Sequence, residues 1–221
     1  MGSRRLPGKS LAQVAGRTVL AHCIERLAAS GLPVVLATTT RSEDDQVEQA
    51  GVRLGVTVVR GADEDVLGRF VLAANTLSLT HIVRATADNP AVDIDAPRRV
   101  LGLLHEHGVD HVTEDGLPYG SAVEAVTADA LLRAAALATD VADREHVTLL
   151  VCRDPRFTSL RTSAPDAVRR PDLRLTVDTA GDLAFVRRVF ELAEADTTPP
   201  VPLTTLIAAA GRIAEPVTSG R

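Results

Sequence analysis

The chain has 221 residues, enough to bury a full core in one domain, and its hydrophobic content of 45% excludes a disordered protein. A net charge of −5 and an aromatic content of 2% argue against a general nucleic-acid-binding protein, which needs basic surface and rings that stack on bases. No apolar run reaches the length of a membrane span and no signal-peptide pattern is present, so we expect no membrane contact.

Short apolar runs alternate with stretches of helical periodicity along most of the chain. Thr18 is expected to cap the first helix, which ends at Gly31. Strands are predicted at 33–38, 56–59, 81–86, 109–112 and 173–177. Helices are predicted from Ser42, Asp63 and Asp95, at 129–138 and 144–152, around 183–190, and near the C-terminus.

This alternation predicts an α/β fold with a Rossmann-like, mostly parallel sheet covered by helices on both faces. The stretch 114–126 breaks the rhythm with two glycines and a proline, and we expect an irregular hairpin over the sheet there. The chain divides into a main domain over 1–196 and a proline-rich connector, short helix and tail over 197–221.

The two cysteines are isolated: Cys23 lies on an apolar face of the first predicted helix, and Cys152 ends the run 147–151. We interpret both as reduced core residues, which favours a cytoplasmic protein.

Lys9 is the only lysine, whereas the other basic residues are all arginine. It ends the loop 3–9, which also holds Pro7 and Gly8. A lysine retained against this background suggests a point contact with a phosphate oxygen, for which a planar guanidinium is less suited. An exposed basic tail is the alternative interpretation.

Two aspartates follow predicted core strands, where ligands bind in doubly wound sheets. Asp88 comes after the strand at 81–86, and Asp178 comes directly after the strand at 173–177. Magnesium takes one or two carboxylates together with phosphate oxygens and water, so this pair predicts a magnesium site for a nucleoside triphosphate. The alternative is that each aspartate caps the helix after it.

Other polar residues leave two interpretations open. Arg84 lies in an apolar strand, and it either pairs with a carboxylate or reaches a ligand. His146 is either a structural histidine or a substrate contact. The sequence has no zinc-ligand spacing, no recognisable Ser-His-Asp set and no dinucleotide-binding glycine motif.

Taken together, these stretches resemble the cytidylyltransferases that activate acidic sugars, such as CMP-sialate and CMP-KDO synthetases, and most closely the SpsF-like spore-coat polysaccharide proteins. The resemblance covers nearly the whole chain in the expected order. It is carried by the segments 3–9, 37–39, 60–70, 84–90, 117–120, 144–148 and 175–179. It implies the nucleotide-diphospho-sugar transferase type of fold.

The resemblance also implies roles for individual residues. Arg5 and Lys9 would be catalytic and contact the CTP phosphates, and Asp88 and Asp178 would hold Mg²⁺. The nucleotide would be bound by Ser3, Thr38, Asp65, Arg69, Arg84 and Thr86. The small polar acceptor would be bound by Tyr119, Glu124, Arg144 and His146. The implied reaction transfers CMP from CTP to a sugar or related polar acid and releases pyrophosphate, and we expect a homodimer.

In the family a hydrophobic strand comes before the loop 3–9, whereas Met1 falls inside that loop here. We therefore expect the first, central strand to be missing from this sequence and the true start to lie upstream. The neighbouring strands at 34–37 and 82–85 would then either close up against each other or leave a poorly stable protein. Two other functions remain open: transfer of another nucleotide to a sugar phosphate, or a non-catalytic nucleotide-binding or partner protein.

Overall fold

The computed structural model describes residues 6–195 and 197–214. Ser3 and Arg5, two of the predicted phosphate contacts, lie outside the described residues. The strands are β1 (Gln13–Val14), β2 (Arg17–Thr18), β3 (Val35–Thr39), β4 (Thr57–Gly61), β5 (His81–Arg84), β6 (His111–Asp115), β7 (Glu124–Thr127) and β8 (Ser159–Ser163).

Helices follow most of the strands, as the alternating pattern predicts. They are α1 (Val19–Ala28), α2 (Asp45–Arg53), α3 (Val66–Thr76), α4 (Ala96–His107), α5 (Ala128–Leu137), α6 (Val141–Glu145), α7 (Leu149–Arg153), α8 (Ala180–Ala193) and α9 (Leu203–Ala214). The predicted α/β class is confirmed. No helix in the described part of the chain is both long and apolar enough to cross a membrane.

The strands form two larger groups. β3 pairs in parallel with β4, and a four-stranded sheet has the order β5-β7-β6-β8. β6 and β8 are parallel, whereas β7 is antiparallel to both β5 and β6. β7 is the second strand of the hairpin expected at 114–126. This hairpin is therefore part of the sheet and does not lie over it.

A gap separates the two groups. Within the described ranges no ladder joins β3 to β5, so these two strands do not close up against each other. Among the described residues, the strand ladder of β3 runs along its β4 edge alone and that of β5 along its β7 edge alone.

Local sequence explains the start of the chain. Ala15 and Gly16 both have positive φ, 44° and 78°, which gives the tight turn that joins β1 to β2. The hydroxyl of Thr18 accepts a hydrogen bond from the backbone N–H of Ala21 at 3.0 Å, which confirms the predicted cap of α1.

Three local predictions need correction. The segment 173–177 is extended but makes only an isolated bridge, between Arg174 and Tyr119. The helix predicted over 144–152 is broken at Val147, where φ is 57°, into α6 and α7. Cys152, in the short α7, is exposed although its Sγ lies 3.7 Å from His111 Nδ1, so of the two cysteines only Cys23 is a core residue.

The C-terminal helix packs onto the main domain. α9 lies against α8 and buries Leu206 completely, within the cluster that also contains Phe190 of α8. This cluster supports the segment 173–178, because Leu175 and Val177 belong to it and are fully buried.

Candidate active site

A lysine side chain lies between two carboxylates at the end of β5. Gly8 has a φ of 71°, which glycine adopts without strain, and it precedes a single 3₁₀ turn over Lys9–Leu11. The Lys9 side chain points inward from this turn. Lys9 Nζ donates to Asp88 Oδ2 at 2.5 Å and to Asp178 Oδ1 at 2.8 Å. The exposed-tail interpretation of Lys9 is therefore wrong.

The environment keeps the Lys9 ammonium charged. Its side chain is only 16% exposed. Burial alone lowers the pKa of Lys9, but hydrogen bonds and charge from Asp178 and Asp88 outweigh it and raise that pKa above its ordinary value. The Lys9 ammonium thus lies where the two carboxylates converge. The negative charge of these carboxylates would also stabilise a bound metal cation at this point.

Backbone pairing brings the two aspartates together. The N–H of Val177 donates to the carbonyl of Asp88 at 3.0 Å, and the N–H of Leu175 donates to the carbonyl of Tyr119 at 2.8 Å. Gly120, with a φ of 94°, allows this close approach, since a Cβ there would lie 2.7 Å from the backbone nitrogen of Thr176.

Neither aspartate caps a helix, which removes the alternative interpretation. Thr179 caps α8 in a reciprocal arrangement with Asp182, and α4 begins after Asp95. The carboxylates of Asp88 and Asp178 contact Lys9 instead of a helix N-terminus.

Arg174 contributes a second cation that sequence reasoning missed. Its Nη2 donates to Asp178 Oδ2 at 2.6 Å and its Nε to Asp182 at 3.0 Å. Its guanidinium also stacks on the exposed ring of Tyr119, 4.7 Å from the ring centre. The only sequence signal was a charge four residues before Asp178 in an otherwise apolar run.

A second polar cluster surrounds Glu124 on β7. Glu124 pairs directly with Arg84 of β5, and Arg84 Nη1 donates to Glu124 Oε2 at 2.9 Å. Thr148, which ends the segment 144–148 but was given no role from the sequence, donates its hydroxyl to the same oxygen at 2.7 Å. The carboxylate-pairing interpretation of Arg84 is therefore confirmed. Its Nε is buried without a hydrogen-bond partner among the described residues.

The predicted contacts Asp65 and Arg144 lie together, beside the start of α3. Asp65 caps this helix by accepting from Gly68 N at 2.8 Å, and Arg144 Nη1 donates to its other carboxylate oxygen at 3.0 Å. His146 is exposed at the end of α6 and is absent from the ion pairs of these clusters that the structure describes.

The remaining predicted nucleotide contacts are positioned by local bonds. Thr38 is buried at the end of β3, and its hydroxyl donates to Asp44 Oδ2 at 3.0 Å. The hydroxyl of the neighbouring Thr39 donates to the same oxygen at 2.6 Å. Thr86 accepts from Asn89 at 2.7 Å. Arg69 folds back onto the carbonyls of the loop before α3, donating to that of Asp63 at 2.9 Å.

The chemistry of the acidic pair, Asp88 and Asp178, fits a magnesium ion. Among the described residues, no group of three or more His, Cys, Asp or Glu side chains is arranged to hold a metal alone. Magnesium does not need such a cage, because it takes one or two carboxylates and completes its shell with phosphate oxygens and water. In this structure the pair contacts a cationic group of the chain itself, the Lys9 ammonium.

Comparison with known proteins identifies the family. The sequence model of the family described as "Cytidylyltransferase" matches residues 1–198. The spore coat polysaccharide biosynthesis protein SpsF of Bacillus subtilis is 31% identical over 201 residues, covering 87% of this chain and 84% of SpsF. A 3-deoxy-manno-octulosonate cytidylyltransferase of Idiomarina loihiensis is 30% identical over 121 residues, covering 46% of this chain and 47% of that protein.

A solved structure supports the same assignment. A cytidylyltransferase from Leptospira borgpetersenii superposes with a TM-score of 0.85 at 26% identity, covering 96% of this chain and 91% of that one. The match confirms the nucleotide-diphospho-sugar transferase fold that the sequence resemblance implies. Because family model, sequence relatives and fold agree over most of its length, the chain belongs to the cytidylyltransferase family and is a nucleotidyltransferase.

Proposed function

We propose that the protein transfers CMP from CTP to an oxygen of a sugar or related polar acid. The acceptor oxygen attacks the α-phosphorus of CTP, the bond from that phosphorus to the bridging oxygen of the β-phosphate breaks, and pyrophosphate leaves. Where the acceptor oxygen belongs to a hydroxyl, its proton passes to solvent water in the same step. The observation that carries the proposal is the Lys9 ammonium between Asp88 and Asp178.

The acidic pair would hold Mg²⁺, which would neutralise charge on the phosphates of the bound triphosphate. Lys9 would then exchange its carboxylate contacts for phosphate oxygens, because the cation now stabilises those carboxylates. The lysine and Arg5 would thereby offset the negative charge that builds up on the leaving pyrophosphate. Ser3 remains a predicted phosphate contact.

The nucleotide contacts would lie on the ends of β3 and β5. Thr38, held by Asp44, offers a fixed hydroxyl oxygen at the end of β3. Thr86 follows β5, and the nearby Nε of Arg84, which has no hydrogen-bond partner among the described residues, is a further donor. The charged groups at the start of α3, Asp65 and Arg69, complete the proposed pocket.

The acceptor would bind on the β7 side of this pocket. Glu124 is fixed by Arg84 and Thr148, so its carboxylate is oriented to accept from a sugar hydroxyl. Tyr119 offers an exposed ring on which a sugar can stack, while Arg144 and His146 supply charge for an acidic acceptor. The names of the polysaccharide and octulosonate relatives favour such an acceptor.

Nucleotide selectivity tests this proposal by binding. Thermal shifts should be measured with CTP, UTP, GTP and ATP, each with and without Mg²⁺. We expect CTP with Mg²⁺ to stabilise the protein most, since a ligand that binds only the folded state raises Tm. Preferential stabilisation by another nucleotide would indicate a different nucleotidyltransferase, and no stabilisation by any would indicate a non-catalytic protein.

Two further features are proposed with the function. We expect a homodimer and a cytoplasmic location, and sedimentation analysis of the purified protein tests the dimer.

A further inference from the structure

Arg174 lies beside the acidic pair, on the extended segment 173–178. Leu175 and Val177 of this segment are fully buried in the core cluster that supports it. Because side chains alternate along an extended chain, Arg174 and Asp178 lie on the opposite face. The side chain of Arg174 is 43% exposed and that of Asp178 is 12% exposed. The arginine is therefore the more accessible member of this ion pair, and a solute can reach it.

Lys9 and Arg174 contact different oxygens of one carboxylate. Lys9 Nζ donates to Asp178 Oδ1 at 2.8 Å, and Arg174 Nη2 donates to Asp178 Oδ2 at 2.6 Å. The Lys9 side of this carboxylate also holds Asp88, and the proposed function assigns the metal and the phosphates to that side. Arg174 lies on the other side, with the ring of Tyr119. The two cations are therefore placed to contact different parts of the bound substrates.

The guanidinium of Arg174 has donors that its aspartate partners do not use. Nε donates to Asp182 Oδ1 at 3.0 Å and Nη2 donates to Asp178, so one edge of the planar group is occupied. Nη1 has no hydrogen-bond partner among the described residues. Nη1 and the second N–H of Nη2 form the outer end of the guanidinium, and two parallel donors of this kind match the two oxygens of a carboxylate. An anion can therefore bind at this end without displacing either aspartate.

Tyr119 holds the Arg174 guanidinium in a fixed position. Arg174 Cζ lies 4.7 Å from the centre of the Tyr119 ring, and a backbone bridge joins the same two residues. An exposed ion pair usually gains little, because it must order two long side chains. A guanidinium that is already held by a ring and two carboxylates loses less entropy when it binds an anion. The outer end of Arg174 is therefore better prepared for an anion than a free surface arginine.

The surroundings of this end favour a sugar carboxylate over a phosphate. The Tyr119 ring is 60% exposed and can contact the C–H groups of a sugar, which inorganic phosphates lack. The charge of a triphosphate is offset on the Lys9 side of Asp178 in the proposed function, whereas an acidic acceptor brings a single carboxylate. One guanidinium fork beside an aromatic ring matches that acceptor.

We propose that the outer end of the Arg174 guanidinium, over the Tyr119 ring, binds the carboxylate of an acidic sugar and so selects acidic acceptors over neutral ones. The inference rests on the proposed function for the role of this sugar as acceptor. Binding of the acid itself can be measured without any transfer of CMP.

The chain carries its own reporter of this site, because Tyr119 is its only tyrosine and it has no tryptophan. Tyrosine emission should be followed with Mg²⁺ present and at constant ionic strength, since salt screens exposed charges. The ligands are two sugar acids, glucuronate and 3-deoxy-manno-octulosonate, with glucose as the neutral match of glucuronate and inorganic pyrophosphate as a second anion. We expect a saturable change of emission with at least one sugar acid and none with glucose at the same concentrations.

Variants of Arg174 test whether its guanidinium causes this binding. Arg174→Gln should weaken binding of the sugar acid about tenfold, since it removes a charged hydrogen-bond donor. Arg174→Lys should also weaken it, because lysine keeps the charge but not the fork. Arg170→Gln is the matched control and should leave binding unchanged. Arg170 is 40% exposed and donates from Nε and Nη2 to a carboxylate, that of Asp172.

Several results would overturn the proposal. They are no change of emission with either sugar acid, an equal change with glucose, and undiminished binding of the acid by Arg174→Gln. Pyrophosphate binding with the same dependence on Arg174 would assign this end to a phosphate and would also overturn it. Thermal shifts with CTP separate this inference from the proposed function. A CTP shift without a response to sugar acids contradicts this inference alone, and acid binding through Arg174 without a CTP shift contradicts the proposed function alone.

Discussion

The backbone N–H of Val177 donates to the carbonyl oxygen of Asp88 at 3.0 Å. Asp178 follows Val177 directly, so this bond fixes the spacing of the acidic pair and allows one ammonium to contact both members. Residues far apart in the sequence thus form a single charged centre through ordinary backbone pairing.

Asp88→Asn and Asp178→Asn should each lower nucleotidyl transfer about a thousandfold while the fold is retained. The amide keeps the shape of the side chain but removes the charge that would hold Mg²⁺. Steady-state rates at saturating Mg²⁺ provide the measurement. Asp172→Asn is the matched control, because that side chain is 65% exposed and pairs only with Arg170 among its described partners. A variant of the pair that retained parental activity would remove that residue from the proposed metal site.

Lys9→Arg should lower activity by at least about tenfold although it keeps the positive charge. The guanidinium is larger and planar, and it does not reproduce a point contact inside the turn that begins at Gly8. The reverse exchange, Arg188→Lys, is the control, because Arg188 is 61% exposed and should tolerate it. Activity of the Lys9 variant within a few-fold of the parent would show that the ammonium itself is not required.

Gly120→Ala should destabilise the protein by about 1–3 kcal/mol and lower its activity. The residue has a φ of 94°, and the added Cβ would displace Thr176 and with it the segment that carries Asp178. Chemical denaturation and rate measurements together check both effects. Gly102→Ala is the control, since a Cβ there meets nothing within 4 Å inside α4, and it should be neutral or stabilising. A neutral Gly120 variant would show that the close approach does not position Asp178.

His22 should make the protein less stable as the pH falls from about 6.5 to about 4. Burial lowers the pKa of His22 from 6.5 to about 4, aided by the nearby charges of Arg17 and Arg26. Below pH 6.5, His22 is therefore protonated in the unfolded state but not in the folded state, and the free energy of unfolding decreases. This decrease ends once His22 of the folded protein also becomes protonated. The full difference is roughly 3 kcal/mol.

Unfolding free energies measured across this pH range test the histidine prediction. His22→Gln should remove most of this slope, because glutamine retains a donor toward the Val14 carbonyl, which His22 Nε2 contacts at 2.8 Å, without titrating. His107→Gln, at an exposed position, should leave the slope unchanged. An unaltered slope in the His22 variant would assign the pH dependence to other groups.

Sequence patterns predicted the alternating architecture and the acidic pair because both depend on local signals. Apolar runs mark buried strands, and strand ends mark the edge where ligands bind. Arg174, Thr148 and Asp44 were not predicted, because their roles arise from partners that only the folded chain brings near. The short β1–β2 hairpin and β8 gave no strong periodic signal, and the pairing of 173–177 depends on Gly120.

The fate of the α-phosphate of CTP tests the proposed reaction most directly. CTP labelled at the α-phosphate should be incubated with the protein, Mg²⁺ and a panel of sugar acids, with UTP, GTP and ATP labelled in the same way for comparison. We predict that label passes from CTP into an acceptor conjugate, with one pyrophosphate released for each transfer and almost no transfer by Asp178→Asn. Preferred transfer from another nucleotide, or no labelled conjugate with any acceptor, would contradict it.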